Sequence, residues 1–187
     1  MEKTFWSDAA RGGAYVGLLL AASSVVETGL VLSGKLGLYV LLLVEWLAVV
    51  ALHFYLLYRF ARRRSALYGA ADGFTFGQGY GYVISMSLPA GLILGVANYI
   101  FLHLVLGYGN YVEKISDIVV RFSSMGGGMN APVKTLVEQL RNTPEPSLFS
   151  TILGGVWSSV LFAAFFGLIV AGLLARSPQP FADNDNE

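Results

Sequence analysis

The sequence contains no cysteine. That excludes disulfides, a thiolate nucleophile and any Cys-ligated metal. Charge is also scarce: Asp, Glu, Lys and Arg make up 13% of the 187 residues, against about 25% in ordinary soluble domains. The charges cancel to a net of zero, so no global basic field exists to attract nucleic acid. Histidine occurs twice, as His53 and His103. They fall near opposite ends of their apolar segments and cannot share a metal, and no other cluster has metal-ligand spacing. Neither a metal nor another cofactor is expected. Serines, histidines and acids do not assemble into a hydrolytic triad, and the chain is expected not to be an enzyme.

What remains is apolar. Hydrophobic residues make up 55% of the chain and the mean hydropathy is +0.62. A helix needs about 20 mostly apolar residues to cross a hydrocarbon core of about 30 Å. Residues 12–33, 37–58, 76–106 and 148–175 qualify. The predicted fold is an all-α membrane protein: one domain, a four-transmembrane-helix bundle, with an amphipathic helical segment between spans three and four. Phe5 and Trp6 in the polar leader suit the headgroup layer. No small-residue cleavage site follows a short apolar core, so the first span is expected to stay attached as an anchor.

The third span, Phe76 to Leu106, contains no Asp, Glu, Lys or Arg. It would measure about 45 Å as a straight helix, so it must tilt, bend or protrude. Pro89 removes a backbone donor and predicts a kink near Ser85–Pro89. In the 107–147 loop, Tyr111, Ile115, Ile118, Val119 and Phe122 recur at helical spacing, with Glu113, Lys114, Asp117 and Arg121 on the remaining face. Residues 123–130 interrupt that helix. Asn130 is a good cap for a second one, with Pro132 in its first turn and Val133, Leu136, Val137 and Leu140 as its apolar face. Residues 126–135 faintly resemble a phosphate-binding loop, but Val133 stands where G-x-x-x-x-G-K-[ST] requires glycine, and no strand precedes it. Residues 176–187 read as a disordered tail.

Four spans put both termini and the 59–75 loop on one side. That side carries Lys3, Arg11, Arg59, Arg62, Arg63, Arg64 and Arg176; the other carries Lys35, Lys114, Arg121, Lys134 and Arg141. The arginines abutting span two, Arg59 and Arg62–Arg64, weigh most in the positive-inside rule. Both termini are expected in the cytoplasm and residues 107–147 outside it. Anionic lipid is a secondary attraction for the same arginines.

Glu27 and Glu45 are the sharpest feature of the apolar segments. Their midpoint is residue 36, the turn of the first hairpin, so both lie at one depth, about 10–13 Å from the outer ends of their helices. Asn98 lies near that level, as do Trp157, Ser158 and Ser159. A charge at mid-helix costs about 2.5–3.5 kcal/mol on insertion scales. The alternatives are a proton- or cation-binding site and a structural hydrogen bond between helices. Gly13 and Gly17 share a stripe of span one with Ser24 and Glu27. Gly91 and Gly95 share a face with Asn98 that is expected to meet the glutamates. Glycine pairs spaced by four mark close helix packing.

The segment Gly73-Phe74-Thr75-Phe76-Gly77-Gln78-Gly79-Tyr80, followed by a span with glycine and serine and then Asn98-Tyr99-Ile100-Phe101, resembles domain-of-unknown-function family 4199, small bacterial membrane proteins. The resemblance implies four spans, a helical stretch between the last two and an inner-membrane location. It implies no activity.

The functional expectation is a non-enzymatic accessory or scaffold acting through helix association. The alternative is a small oligomeric proton- or cation-coupled transporter or channel using Glu27 and Glu45. Expected partners are the lipid bilayer and a second copy or another membrane protein, not nucleic acid.

Overall fold

The computed structural model describes residues 2–125 and 131–178, and six α-helices account for most of them. They are α1 (Glu2–Leu32), α2 (Tyr39–Ser65), α3 (Phe76–Tyr99), α4 (Tyr108–Met125), α5 (Ala131–Asn142) and α6 (Leu148–Leu174). A 3-10 turn, Leu36–Leu38, precedes α2, and a π-helical turn, Ile100–Val105, extends α3. Most of the expected 123–130 break, with its Asn130 cap and the three glycines of the phosphate-loop-like stretch, lies outside the described residues, as does the tail beyond Pro178.

Four helices are long and apolar enough to cross a membrane: Phe5–Leu32, Leu36–Ser65, Phe76–Val105 and Leu148–Leu174. The chain is an all-α, four-helix membrane protein. α1 starts ten residues earlier than its apolar count predicts, because its polar first turns find partners. Asp8 pairs with Arg64 of α2 at 3.5 Å, and the Phe5 ring meets Tyr82 of α3 edge-on at 5.7 Å.

α3 is the central helix, packed most extensively on α6 and α1; α2 leans on α1 and touches α6 and α3 less. Glycine decides the two close interfaces. A Cβ on Gly17 would stand 2.9 Å from the Ala90 Cα, and one on Gly13 would collide with the Met86 carbonyl and Pro89. Across α3, a Cβ on Gly95 would lie 2.5 Å from the Ile152 Cα, and one on Gly155 would lie 2.6 Å from the Gly95 nitrogen. α1 and α3 therefore run parallel in near backbone contact, and α6 runs antiparallel to α3.

One expectation changes here. Gly91 and Gly95 face α6, not the glutamates, although Asn98 one turn on does face α1. Their angular spacing on the helix is wide enough for two neighbours to share that side. α3 stays helical through Pro89, and it gives way to a π-helical turn at Ile100–Val105, where Leu106 donates to the Phe101 carbonyl.

The apolar core lies in the half of the bundle where α1 begins and α6 finishes. Val16, Leu57, Phe60, Tyr82, Val83, Met86, Ala90, Ala163 and Val170 are all buried there. Arg64 joins it: only 7% exposed, it meets Asp8 and lies over the Phe5 and Tyr68 rings. Arg59 and Arg63 lie over Tyr55 and Phe60. The basic cluster is thus also a packing element.

Gly73 is held at φ +65°, a backbone conformation that favours glycine. It aims Phe74 at Arg176, with which it exchanges two backbone hydrogen bonds of 3.0 and 2.9 Å. Thr75 and Gln78 then close a capping box on α3. The Arg176 guanidinium donates to the Ser65 and Tyr68 carbonyls at 2.8 and 2.6 Å. Arg176, the first residue of the expected tail, is therefore held against the 65–74 segment. The 73–78 motif is a helix start and a clasp.

Candidate functional site: a polar cavity inside the bundle

Nearer the α4–α5 end, the helices part around a cavity of about 380 Å³ lined by all four spans. The reason is local. Gly13 and Gly17 draw α1 onto α3, and Gly91, Gly95 and Gly155 draw α6 onto α3. α2 has no such residues at its start, and none of its residues before His53 is buried. It stands off, and the gap is filled by polar side chains.

α1 contributes Ser23, Ser24 and Glu27. The Ser23 hydroxyl donates to Glu45 Oε1 of α2 at 2.6 Å. The Ser24 hydroxyl donates to Asn98 Oδ1 of α3 at 2.7 Å. One turn on from Ser23 and Ser24, Glu27 lies near enough to Glu45 for the two charges to interact. Glu45 Oε2 is buried without a partner. Glu27, Glu45 and Asn98 are thus brought into one layer. α6 supplies Ser158 to the lining. Ser159 is buried with its hydroxyl unpartnered, and Trp157 points outward, 66% exposed, so it does not belong to the layer.

His53 is part of the cavity wall, which its place near the end of span two did not suggest. It is 3% exposed, borders the cavity, and lies against the Phe162 and Phe166 rings at 6.2 and 5.8 Å. It makes no hydrogen bond among the described residues. Ser24 is already on the Glu27 stripe; the signal that could have found Ser23 is the same periodicity, since it lies four residues before Glu27. His53 sits two helical turns beyond Glu45, and nothing in the sequence says that α2 stands away from its neighbours over that distance.

His103 belongs to a separate group. Its Nδ1 meets Glu145 at 2.5 Å, and its ring is stacked between Tyr99 and Tyr108 at 4.3 and 5.4 Å. This ties the α5–α6 linker to the π-helical end of α3. Burial, and then Tyr108 beside it, raises the Tyr111 phenol above its usual range, so that it stays neutral near pH 7. Among the described residues no group of three or more His, Asp or Glu is placed to hold a metal ion.

One carboxyl, an amide and three hydroxyls line the cavity, with the Glu45 carboxyl bonded to one of those hydroxyls, and together they offer oxygen donors to a proton or a cation. A model of the family described as "Protein of unknown function (DUF4199)" matches residues 11–176. The chain belongs to that family. The DUF4199 match runs from α1 to the Arg176 clasp, so it takes in every residue of the cavity. No curated protein and no solved structure matches the chain.

Proposed function

We propose that this chain is a bacterial inner-membrane protein, with both termini cytoplasmic, that binds a proton or a cation at Glu27 and Glu45. It acts as a small coupled transporter or channel and is not an enzyme. The observation that carries this reading is the carboxyl pair itself: Glu27 in the cavity wall and Glu45, held by Ser23, on the facing helix, in a layer where each charge is costly. Two such groups side by side suit one shared proton or one bound cation. Four spans leave little room for a private pathway, so the working form is an oligomer.

The association reading loses two of its supports. Gly13, Gly17, Gly91 and Gly95 are used between helices of the same chain. The apolar face of α4 is turned onto the first hairpin, with Ile118 near Gly34 and Phe122 against Tyr39 at 5.6 Å. One observation still favours an accessory or scaffold role: Gly77 and Gly81 on α3 are exposed, with open space beside them, and offer a close-packing surface to another helix.

The test is a proteoliposome flux assay under imposed proton, Na⁺ and K⁺ gradients. Wild-type protein is expected to move at least one of these ions, and Glu27→Gln/Glu45→Gln to abolish the flux. Absence of flux in the wild type under every gradient overturns the transport reading in favour of association, which cross-linking through Gly77→Cys would then detect.

A further inference from the structure

We infer that the cavity admits an amphipathic organic cation, a singly charged molecule with a bulky apolar body, which enters sideways from the bilayer between α2 and α6. The inference rests on the reading of Glu27 and Glu45 as a cation site and names its substrate class.

The first observation is a second hollow. Between α2 and α6 runs an apolar groove of about 450 Å³. Trp46, Val50 and Phe162 line both the groove and the polar cavity. The two spaces are therefore neighbours separated by three side chains. The rest of the groove is lined by Leu161, Phe165 and Phe166 of α6. It lies at mid-span, where the surroundings are lipid tails and not water. A molecule that reaches the carboxyls by this route must itself be soluble in hydrocarbon.

Charge selects among such molecules. Glu27 lines the cavity, Glu45 is bonded to Ser23 of its wall, and no Lys or Arg is among its described lining residues. An anionic lipid headgroup would find no cation there, whereas a positive centre would meet the Glu27 carboxyl, with Glu45 behind Ser23 of the same wall. His53 is a second and independent mark of an unfilled site. It is 3% exposed, borders the cavity and has no hydrogen-bond partner among the described residues, so its ring can accept from a donor there. Aromatic faces complete the match, since Trp and Phe walls attract an organic cation through their ring quadrupoles while burying its apolar body. Inorganic cations gain little from such walls. The titratable groups lining this space are Glu27 from α1 and His53 from α2, with Glu45 bonded to the lining residue Ser23; α3 and α6 supply Asn98, Ser158 and Phe162.

The probes are three molecules of similar shape: tetraphenylphosphonium, tetraphenylborate and neutral triphenylphosphine oxide. Each is titrated into detergent-solubilised full-length protein, with binding read by calorimetry and fold by thermal midpoint. Tetraphenylphosphonium is expected to bind saturably and tetraphenylborate not at all. Glu27→Gln/Glu45→Gln and, separately, Phe162→Ala are expected to weaken the cation at least tenfold. Equal binding of cation and anion, or binding of the neutral probe alone, overturns the inference by reducing the groove to an apolar patch. No binding of the cation overturns it as well. If ion flux through Glu27 and Glu45 survives that result, the transport reading stands and only the substrate class is lost; if both assays are silent, both fail.

Discussion

Ser23 on α1 donates its hydroxyl to the Glu45 carboxylate on α2 at 2.6 Å, across the first hairpin. Glu45 Oε2 has no partner of its own, so this is the one side-chain hydrogen bond seen to that carboxyl among the described residues. Interhelical hydrogen bonds in membranes are worth about 0.6–2 kcal/mol. Ser23→Ala should destabilise the folded protein within that range, as read by denaturant unfolding in mixed micelles. In a Glu45→Ala background the same change should cost little. Equal costs in both backgrounds would show that the hydroxyl matters for packing alone.

Adjacent glycines on α6 should behave oppositely. A Cβ on Gly155 would lie 2.6 Å from the Gly95 nitrogen and 2.7 Å from the Gly91 carbonyl oxygen, whereas a Cβ on Gly154 meets nothing within 4 Å. The atoms opposing Gly155 are backbone and cannot swing aside. Gly155→Ala should therefore cost about 1–3 kcal/mol, the range for overpacking. Gly154→Ala should be neutral or slightly stabilising, because alanine is the better helix former. Thermal midpoints of the two variants provide the comparison, and equal shifts would mean that α3 and α6 are not in close contact.

Spans, their order and the common depth of Glu27, Glu45 and Asn98 were legible because a bilayer imposes length and an antiparallel hairpin imposes depth. The stripe Gly13–Gly17–Ser24 also pointed correctly to one neighbour, since small residues at helical spacing admit only close contact. Facing was less legible. Gly91 and Gly95 were assigned to the side of the glutamates, yet they meet α6, because periodicity identifies a face and not its occupant. The Asp8–Arg64 pair, the Arg176 clasp and the place of His53 join residues dozens of positions apart. No local pattern encodes such pairings.

The clasp is open to a direct test. The Arg176 guanidinium satisfies the Ser65 and Tyr68 carbonyls just past the end of α2, while its backbone pairs with Phe74. Hydrogen bonds to a charged donor contribute about 1.5–3 kcal/mol each at most. Arg176→Ala should loosen the 66–75 loop more than the bundle. The expected signature is faster amide exchange at Phe74 and Arg176 positions, with the thermal midpoint falling by a few degrees. Arg176→Lys should rescue it in part, because a single ammonium can reach the carbonyls without the planar fork. Unchanged exchange at Phe74 would show that the backbone pairing alone holds the segment.

The absence of cysteine makes the proposed orientation measurable without a background to remove. Ala71 in the loop after α2 and Asn142 at the end of α5 are both exposed and lie at opposite ends of the bundle. Each can carry a single Cys without disturbing a buried contact. With both termini cytoplasmic, a membrane-impermeant maleimide applied to spheroplasts should label the Asn142→Cys chain and leave the Ala71→Cys chain unlabelled until the membrane is opened. The arginines beside α2 motivate the prediction: under the positive-inside rule a basic cluster abutting a span, here Arg59 and Arg62–Arg64, favours the cytoplasmic side. Arg64 adds a second constraint, since its burial against Asp8 fixes the start of α1 to the same side. Replacing Arg59, Arg62 and Arg63 with Gln, while keeping Arg64, separates the two causes. If the labelling pattern persists, the buried Arg64–Asp8 pair suffices to hold the orientation. If the pattern inverts, the exposed charges determined it during insertion.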